Sequence, residues 1–257
     1  MYLPMLMNQC ASRDLSRMSR KHKTNNNGQI AISNALTVDA QGAITSQSGV
    51  IRTGEQLSLT AQSLDNTTGT IQSLGAGDVA LTLTEAFTNA GGKLETNAAN
   101  LTLAAGSIDN TNGGAITHAG DGTLSVTRGD VDNSTGDIAS NGLIDFVVGL
   151  FTNTDGSLAA AKAIDIDASG AVVNVSGSIV ANEQITLSSQ SLDNTTGTIQ
   201  SLGTGDVALT VTDAFTNVGG KLETNAANLT LDTGSIDNTN QGTITHAGEG
   251  SLTLNSG

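Results

Sequence analysis

Five aspartates, Asp65, Asp109, Asp132, Asp193 and Asp237, share one setting in this sequence, with an aliphatic residue before and an asparagine after. Carboxylates gathered on one face are the equipment of glycosidic-bond cleavage: one protonates the leaving oxygen and another acts as nucleophile or base. That chemistry needs a singular constellation. Here the setting recurs along the chain, and Thr88, Thr152, Thr216 and Val173 take the place of the acid elsewhere. A periodic residue of this kind reads as a solvated turn residue that helps cap the asparagine beside it. No catalytic residue is assigned.

The other reactive side chains also read as structural. His118 and His246 stand far apart along the chain in equivalent contexts, and His22 lies near the start. Metal ligands must converge within bonding distance, so the two equivalent histidines are read as surface or turn residues, with no metal and no cofactor expected. Asp78 follows Gly75-Ala76-Gly77 and Asp206 follows Gly203-Thr204-Gly205, loosely like a calcium-binding nonapeptide but without its full GGxGxD pattern. There is no Gly-x-Ser-x-Gly nucleophile elbow, and neither glycine-rich stretch leads into Lys-Ser/Thr for phosphate binding. Asn66, Asn100, Asn133, Asn174, Asn194 and Asn228 sit in N-x-[ST] sequons, which a chain so rich in Asn and Thr contains by chance.

The elements that hold these residues repeat. Residues 62–124 recur at 190–252 with 53 of 63 positions identical, at an offset of 128. Within and beyond that block runs a shorter tandem unit of about 21 residues. It consists of an apolar residue, one residue, Asn, then Gly and a second apolar residue. It starts at Leu64, Phe87, Ile108, Val131, Phe151, Val172, Leu192, Phe215 and Ile236, and at Ile44 in a form with Ser46 in the Asn place. Each unit closes on an alternating triplet such as Leu81-Thr82-Leu83 or Ile164-Asp165-Ile166. Alternation of period two between Gly and Asn reads as short strands, and frequent Gly, Thr and Val argue against helix. Strands this short bury their apolar side only if each unit is one turn of a coil that stacks on the next. The fold expected is an all-β solenoid of about ten turns, paired in parallel. Asn66, Asn89, Asn110, Asn133, Asn153, Asn174, Asn194, Asn217 and Asn238 are expected to form a structural ladder, each amide bonding the next. The Gly of each unit is expected at a turn position of positive φ. Length variation between the second apolar residue and the triplet places insertions in one loop. Phe87, Phe151 and Phe215, evenly spaced along the chain, are expected to fill one part of the core at every third turn.

Composition fits thin repeated layers better than one thick core: aromatics are 2% and there is no Trp. Residues 1–27 differ from the rest, holding all four Met, the only Pro, Tyr and Cys, and five of the ten basic residues. They are expected to be a disordered or non-native leader, with residues 28–257 forming the repeat domain. Apolar Met1–Met7 precedes the basic residues, the reverse of a secretory signal, so no recognisable signal peptide is expected. From residue 28 onward, five basic residues face 23 acidic ones, a net −18. Such a surface repels phosphates, so no nucleic-acid partner is expected. No stretch approaches the ~18 apolar residues of a membrane span, so no membrane insertion is expected. The lone Cys10 permits no internal disulfide.

The strings LDNTTGTIQS, FTNAGGKLET, IDNTNGGAITH and VDNSTGDIAS resemble the repeats of the filamentous haemagglutinin family, which includes two-partner secretion exoproteins and the stalks of contact-dependent inhibition toxins. The resemblance covers about residues 28–257 and implies a right-handed parallel β-helix. It further implies a secreted or cell-surface parent protein, exported by an outer-membrane transporter, that meets a host or neighbouring-cell receptor or glycan. The expected function is that of a non-catalytic stalk segment of an adhesin or toxin. The secretion domain with its NPNG-type motifs and the carboxy-terminal toxin of full members are not found in this sequence. Because pectinases share the β-helix, a carbohydrate-active lyase or hydrolase is the alternative.

Overall fold

The computed structural model describes residues 17–20 and 22–257. The described chain is all-β without helix, a parallel solenoid of about eleven coils. Each coil, or rung, contributes a strand to each of three faces. In the third rung these are Leu64–Asp65, Thr70–Ser73 and Val79–Leu83. In the fourth they are Ala86–Thr88, Lys93–Thr96 and Leu101–Ala104. Like pairs with like in parallel and in register: Leu64 with Phe87, Ile71 with Leu94, Leu81 with Leu103. The pattern follows from period two in the sequence. In Val79–Leu83 the odd residues are buried and the even ones point outward, and this alternation sends most aliphatic residues inward and most Thr, Ser and Asp outward. The last residue of the second-face strands is an exception, with Thr53, Ser73 and Thr96 buried.

The interior is a set of aliphatic columns. On the second face, Ile30, Ile51, Ile71, Leu94, Ile116, Ile138, Leu158, Ile179, Ile199 and Leu222 follow one another at one position, all buried. No rung encloses a core alone; each is sealed by the rungs above and below, which is why near-identical units suffice. Phe87, Phe151 and Phe215 lie fully buried in the first-face column at every third rung. The fourth phenylalanine, Phe146 of the third face, meets Phe151 edge to face with centroids 5.4 Å apart, the favoured geometry for an aromatic pair.

The first corner is a tight turn that opens on the ladder Asn, whose carbonyl accepts the amide of the unit's Gly, as from Gly69 to Asn66 and from Gly92 to Asn89, both 2.9 Å. The expectation that this Gly holds the positive φ is corrected. Positive φ falls on the residue before it: Ser48, Thr68, Gly91, Thr135, Asp155, Ser176, Thr196 and Gly219. The Gly is needed for closeness instead, because a Cβ on Gly92 would collide with the carbonyl oxygen of Asn66 in the rung below and the amide of Asn89. The second corner absorbs most of the length variation, from two residues (141–142) to five (74–78), and the first corner gains one residue in two rungs (110–114 and 238–242).

The coil also begins earlier than the boundary expected at residue 28. Strands Arg17–Arg20 and Lys23–Thr24 pair with Leu36–Ala40 and Ile44–Thr45 of the next rung. Asn25 is 5% exposed, at the ladder position. An eleventh rung was hidden because a lysine stands where the unit normally starts with an apolar residue. Residues 1–16 and 21 lie outside the described residues, as do all the expectations that rest on them.

Candidate functional site

The most regular polar feature is the column of asparagines at the first corner. Asn66, Asn89, Asn110, Asn133, Asn153, Asn174, Asn194 and Asn217 are fully buried, while Asn238, on the last rung, is exposed. The Nδ2 of each donates to the Oδ1 of the next at 2.7–2.8 Å, from Asn66 to Asn89 and onward to Asn238. The same Nδ2 is shared with two carbonyls. For Asn133 these are Gly136 of its own turn at 3.1 Å and Ser157 of the next rung at 2.9 Å. Every amide therefore points the same way along the coil and ties the tight turn to its neighbour.

The column has one fault. At Ser46 the side chain is too short to continue it. Asn25 donates to the Ser46 hydroxyl at 3.1 Å, but the buried Oδ1 of Asn66 has no hydrogen-bond partner.

The periodic aspartates flank this column on its outward side. Asp65 Oδ1 accepts the Thr67 amide at 2.9 Å and the Thr67 hydroxyl at 2.7 Å. Asp109, Asp132, Asp193 and Asp237 do the same with Thr111, Ser134, Thr195 and Thr239. These are side-chain turns that brace the corner. Burial pushes the Asp65 pKa upward, but the Thr67 hydroxyl and amide and Gln47 donate to the carboxylate and hold it below its usual value. A carboxylate so held is ill suited to act as a general acid. Asp78 and Asp206, the loose calcium-motif residues, staple rungs together: each accepts both the backbone and side-chain amide of Asn100 or Asn228 one rung on, at 2.9–3.1 Å. Of the six sequons, those at Asn66, Asn133, Asn174 and Asn194 lie fully buried within the column, whereas Asn100 is exposed and Asn228 half-buried.

Two groups escaped the sequence reading. His118 is not a surface or turn histidine; it is 1% exposed and points into the core. On the outward side of the third face, Asp145 pairs in register with Asp165, two residues before Asp167. Burial and the neighbouring Asp165 charge raise the Asp145 pKa above the ordinary carboxylate value. The signal for this pair was present as Ile144-Asp145-Phe146 and Ile164-Asp165-Ile166, but only the rung register shows that the two acids are neighbours. Among the described residues, no group of three or more His, Cys, Asp or Glu could hold a metal ion.

The geometry has counterparts among known proteins. The model for the Haemagglutinin repeat matches residues 17–91 and 218–257. A curated protein of Burkholderia pseudomallei (strain 1026b), named tRNA nuclease CdiA-2, is 30% identical over 220 residues, covering 76% of this chain. The chain spans 6% of the length of that relative. No solved structure matches. A parallel coil of about 21-residue rungs, these repeats at both ends of the described chain and this relative together place the chain in the filamentous haemagglutinin-like family.

Proposed function

We propose that the chain is a non-catalytic stalk segment of a secreted bacterial surface adhesin or contact-dependent toxin. The observation that carries this reading is the unbroken amide column from Asn66 to Asn238 beside one continuous aliphatic core. A rod of uniform cross-section, tied at every rung, serves to hold what lies at its ends at a fixed separation. The periodic carboxylates are engaged in turns and rung staples, which supports a structural role over an acid/base one. The full-length parent is exported by an outer-membrane transporter and meets a receptor or glycan on a host or neighbouring cell. The nuclease named in the relative is a property of that protein, of which this chain matches a small part.

The test is rigidity. Spin labels attached outside the first and last described rungs should give one narrow distance distribution. A broad distribution, or one much shorter than the rod, would sink the stalk reading. Asp145 favours one second reading, a carbohydrate-active enzyme, because its raised pKa suits an acid and a second carboxylate, Asp165, lies beside it in register. Turnover of pectin-type polysaccharide that disappears in Asp145→Asn would establish it.

A further inference from the structure

One core column is unlike the others. At the end of the second-face strand, successive rungs place Ile32, Thr53, Ser73, Thr96, His118, Ser140, Ala160, Ala181, Ser201, Thr224 and His246. His118 is the largest of the fully enclosed polar residues here and the only one that gains a charge between pH 5 and 8. Both of its ring nitrogens are engaged. Nε2 lies 3.1 Å from the Ala98 carbonyl in the rung below, and a carbonyl only accepts, so Nε2 bears the proton. Nδ1 lies 2.9 Å from the Ser140 hydroxyl in the rung above and accepts its proton. The Ser140 oxygen in turn accepts the Gly142 amide at 3.0 Å. This chain of bonds is complete only while the ring is neutral.

We propose that His118 is a proton-triggered weak point in the rod, where uptake of one proton loosens the fifth rung and its two neighbours. A second proton on the ring turns Nδ1 into a donor facing a hydroxyl that already donates to it. Ser140 must then rotate its proton away and find another acceptor within the core. A charge is also placed in a column of Ile, Thr, Ser and Ala, where desolvation is costly. Asp121, in the loop that follows His118, is the charged group acting on the ring, and it is exposed. The rung below presents Thr96, Ala98, Ala99 and Asn100, and the rung above presents Ser140, Asn141 and Gly142, none of which titrates in this range. Burial pushes the His118 pKa down from the ordinary histidine value of 6.5, more than the Ala98 and Ala99 carbonyls and Asp121 raise it.

The sign follows from linkage. The unfolded or locally opened chain binds the proton first, so stability conferred by the neutral ring is complete above pH 6.5. It is lost as pH falls from there toward the lower folded value. Most carboxylates titrate below about 4.5, so between about pH 6.5 and 5 a comparison with a chain lacking His118 isolates this ring from Asp145 and the other histidines. Because strands pair only with those of adjacent rungs, the opening is local; Lys162, whose Nζ donates to the Asp121 carbonyl from two rungs away, is a side chain that reaches further.

Two measurements on the full chain test this. Thermal unfolding followed from pH 7.5 to 5.0 should show Tm falling below pH 6.5 in the parent, and a flatter profile in His118→Thr, which copies the residue at Thr96. Equal profiles would overturn the proposal. In the unmutated chain, the His118 ring should stay neutral with Nε2 protonated to below pH 6.5 by NMR. Hydrogen exchange between Leu94 and Val148 should accelerate on acidification relative to Ser178–Ser189. A ring midpoint at or above 6.5, or uniform acceleration along the rod, would equally sink it, whether or not the variant folds.

Discussion

At the residue scale, a buried primary amide has two donors and an acceptor to satisfy, and each one left open costs about 1–3 kcal/mol. The asparagine column meets that demand by translation: what one rung offers, the next accepts. Asn133→Ala should therefore cost more than its own bonds. It leaves the Asn153 Oδ1 above without its donor and takes from the Asn110 Nδ2 below its shortest bond, leaving only those to Gly114 and Asp137, for a loss of roughly 2–4 kcal/mol in denaturant-induced unfolding. The opposite substitution is expected at the fault. Ser46→Asn gives the orphaned Asn66 Oδ1 a donor and restores the repeat, and a gain of about 1 kcal/mol is expected in the same assay. Failure of Ser46→Asn to stabilise would mean that the unpaired Asn66 oxygen costs the fold nothing. The members of this column were legible in the sequence, since Asn recurs at a constant distance from an apolar start. Asn25 was not, because Lys23 masks that start, and neither was the burial of His118. A histidine between Thr117 and Ala119 reads as polar until the register places it over Thr96 and under Ser140.

Among the elements, the first corner shows how turn chemistry is divided between two residues. The Gly accommodates the closeness of the rung below, while its predecessor takes the left-handed conformation. Gly91 and Gly219 adopt that conformation at φ of 61° and 63°, but Thr68 and Thr196 do so at 53° and 55°. A β-branched residue there is strained. Thr68→Gly should stabilise the chain by about 1 kcal/mol even though it gives up the exposed hydroxyl bonds to Ser48 and to the Thr67 carbonyl, raising Tm by roughly 2–4 °C. A lower Tm would show that the hydroxyl contacts along this corner outweigh the backbone strain. The sequence pattern located the turn but assigned the positive φ to the wrong residue, because proximity of another rung is invisible within a single unit.

At the scale of the whole molecule, the near-identical blocks are offset by six rungs, a whole number of coils. Residues 62 and 190 therefore occupy the same place on the same corner. Leu209, for instance, pairs with Leu187 just as Leu81 pairs with Leu59. Excision of residues 62–189 joins Ala61 to Gln190, whose natural neighbours are Gln62 and Ser189. The shortened chain should fold as a rod roughly 29 Å shorter, at about 4.8 Å per rung, measured by small-angle scattering. A collapsed or aggregated product would show that the rungs are not interchangeable units. The same modularity confines any acid-induced opening at His118 to its neighbourhood, since no long-range layer connects distant rungs.

The sequence by itself determined the class of fold, the rung length and the membership of the asparagine column, because periodicity is a local property that survives without coordinates. It also suggested that recurring aspartates serve structure, since a reacting group has no cause to recur. Only the tertiary structure decided which residues meet across rungs: the fault at Ser46, the proximity of Asp145 and Asp165, the enclosure of His118 and the first rung at Lys23–Thr24. In a parallel coil the nearest neighbour of a side chain lies a whole rung away along the chain, at a separation that varies with the loop at the second corner. That register is fixed by stacking of the rungs, and no single unit contains it.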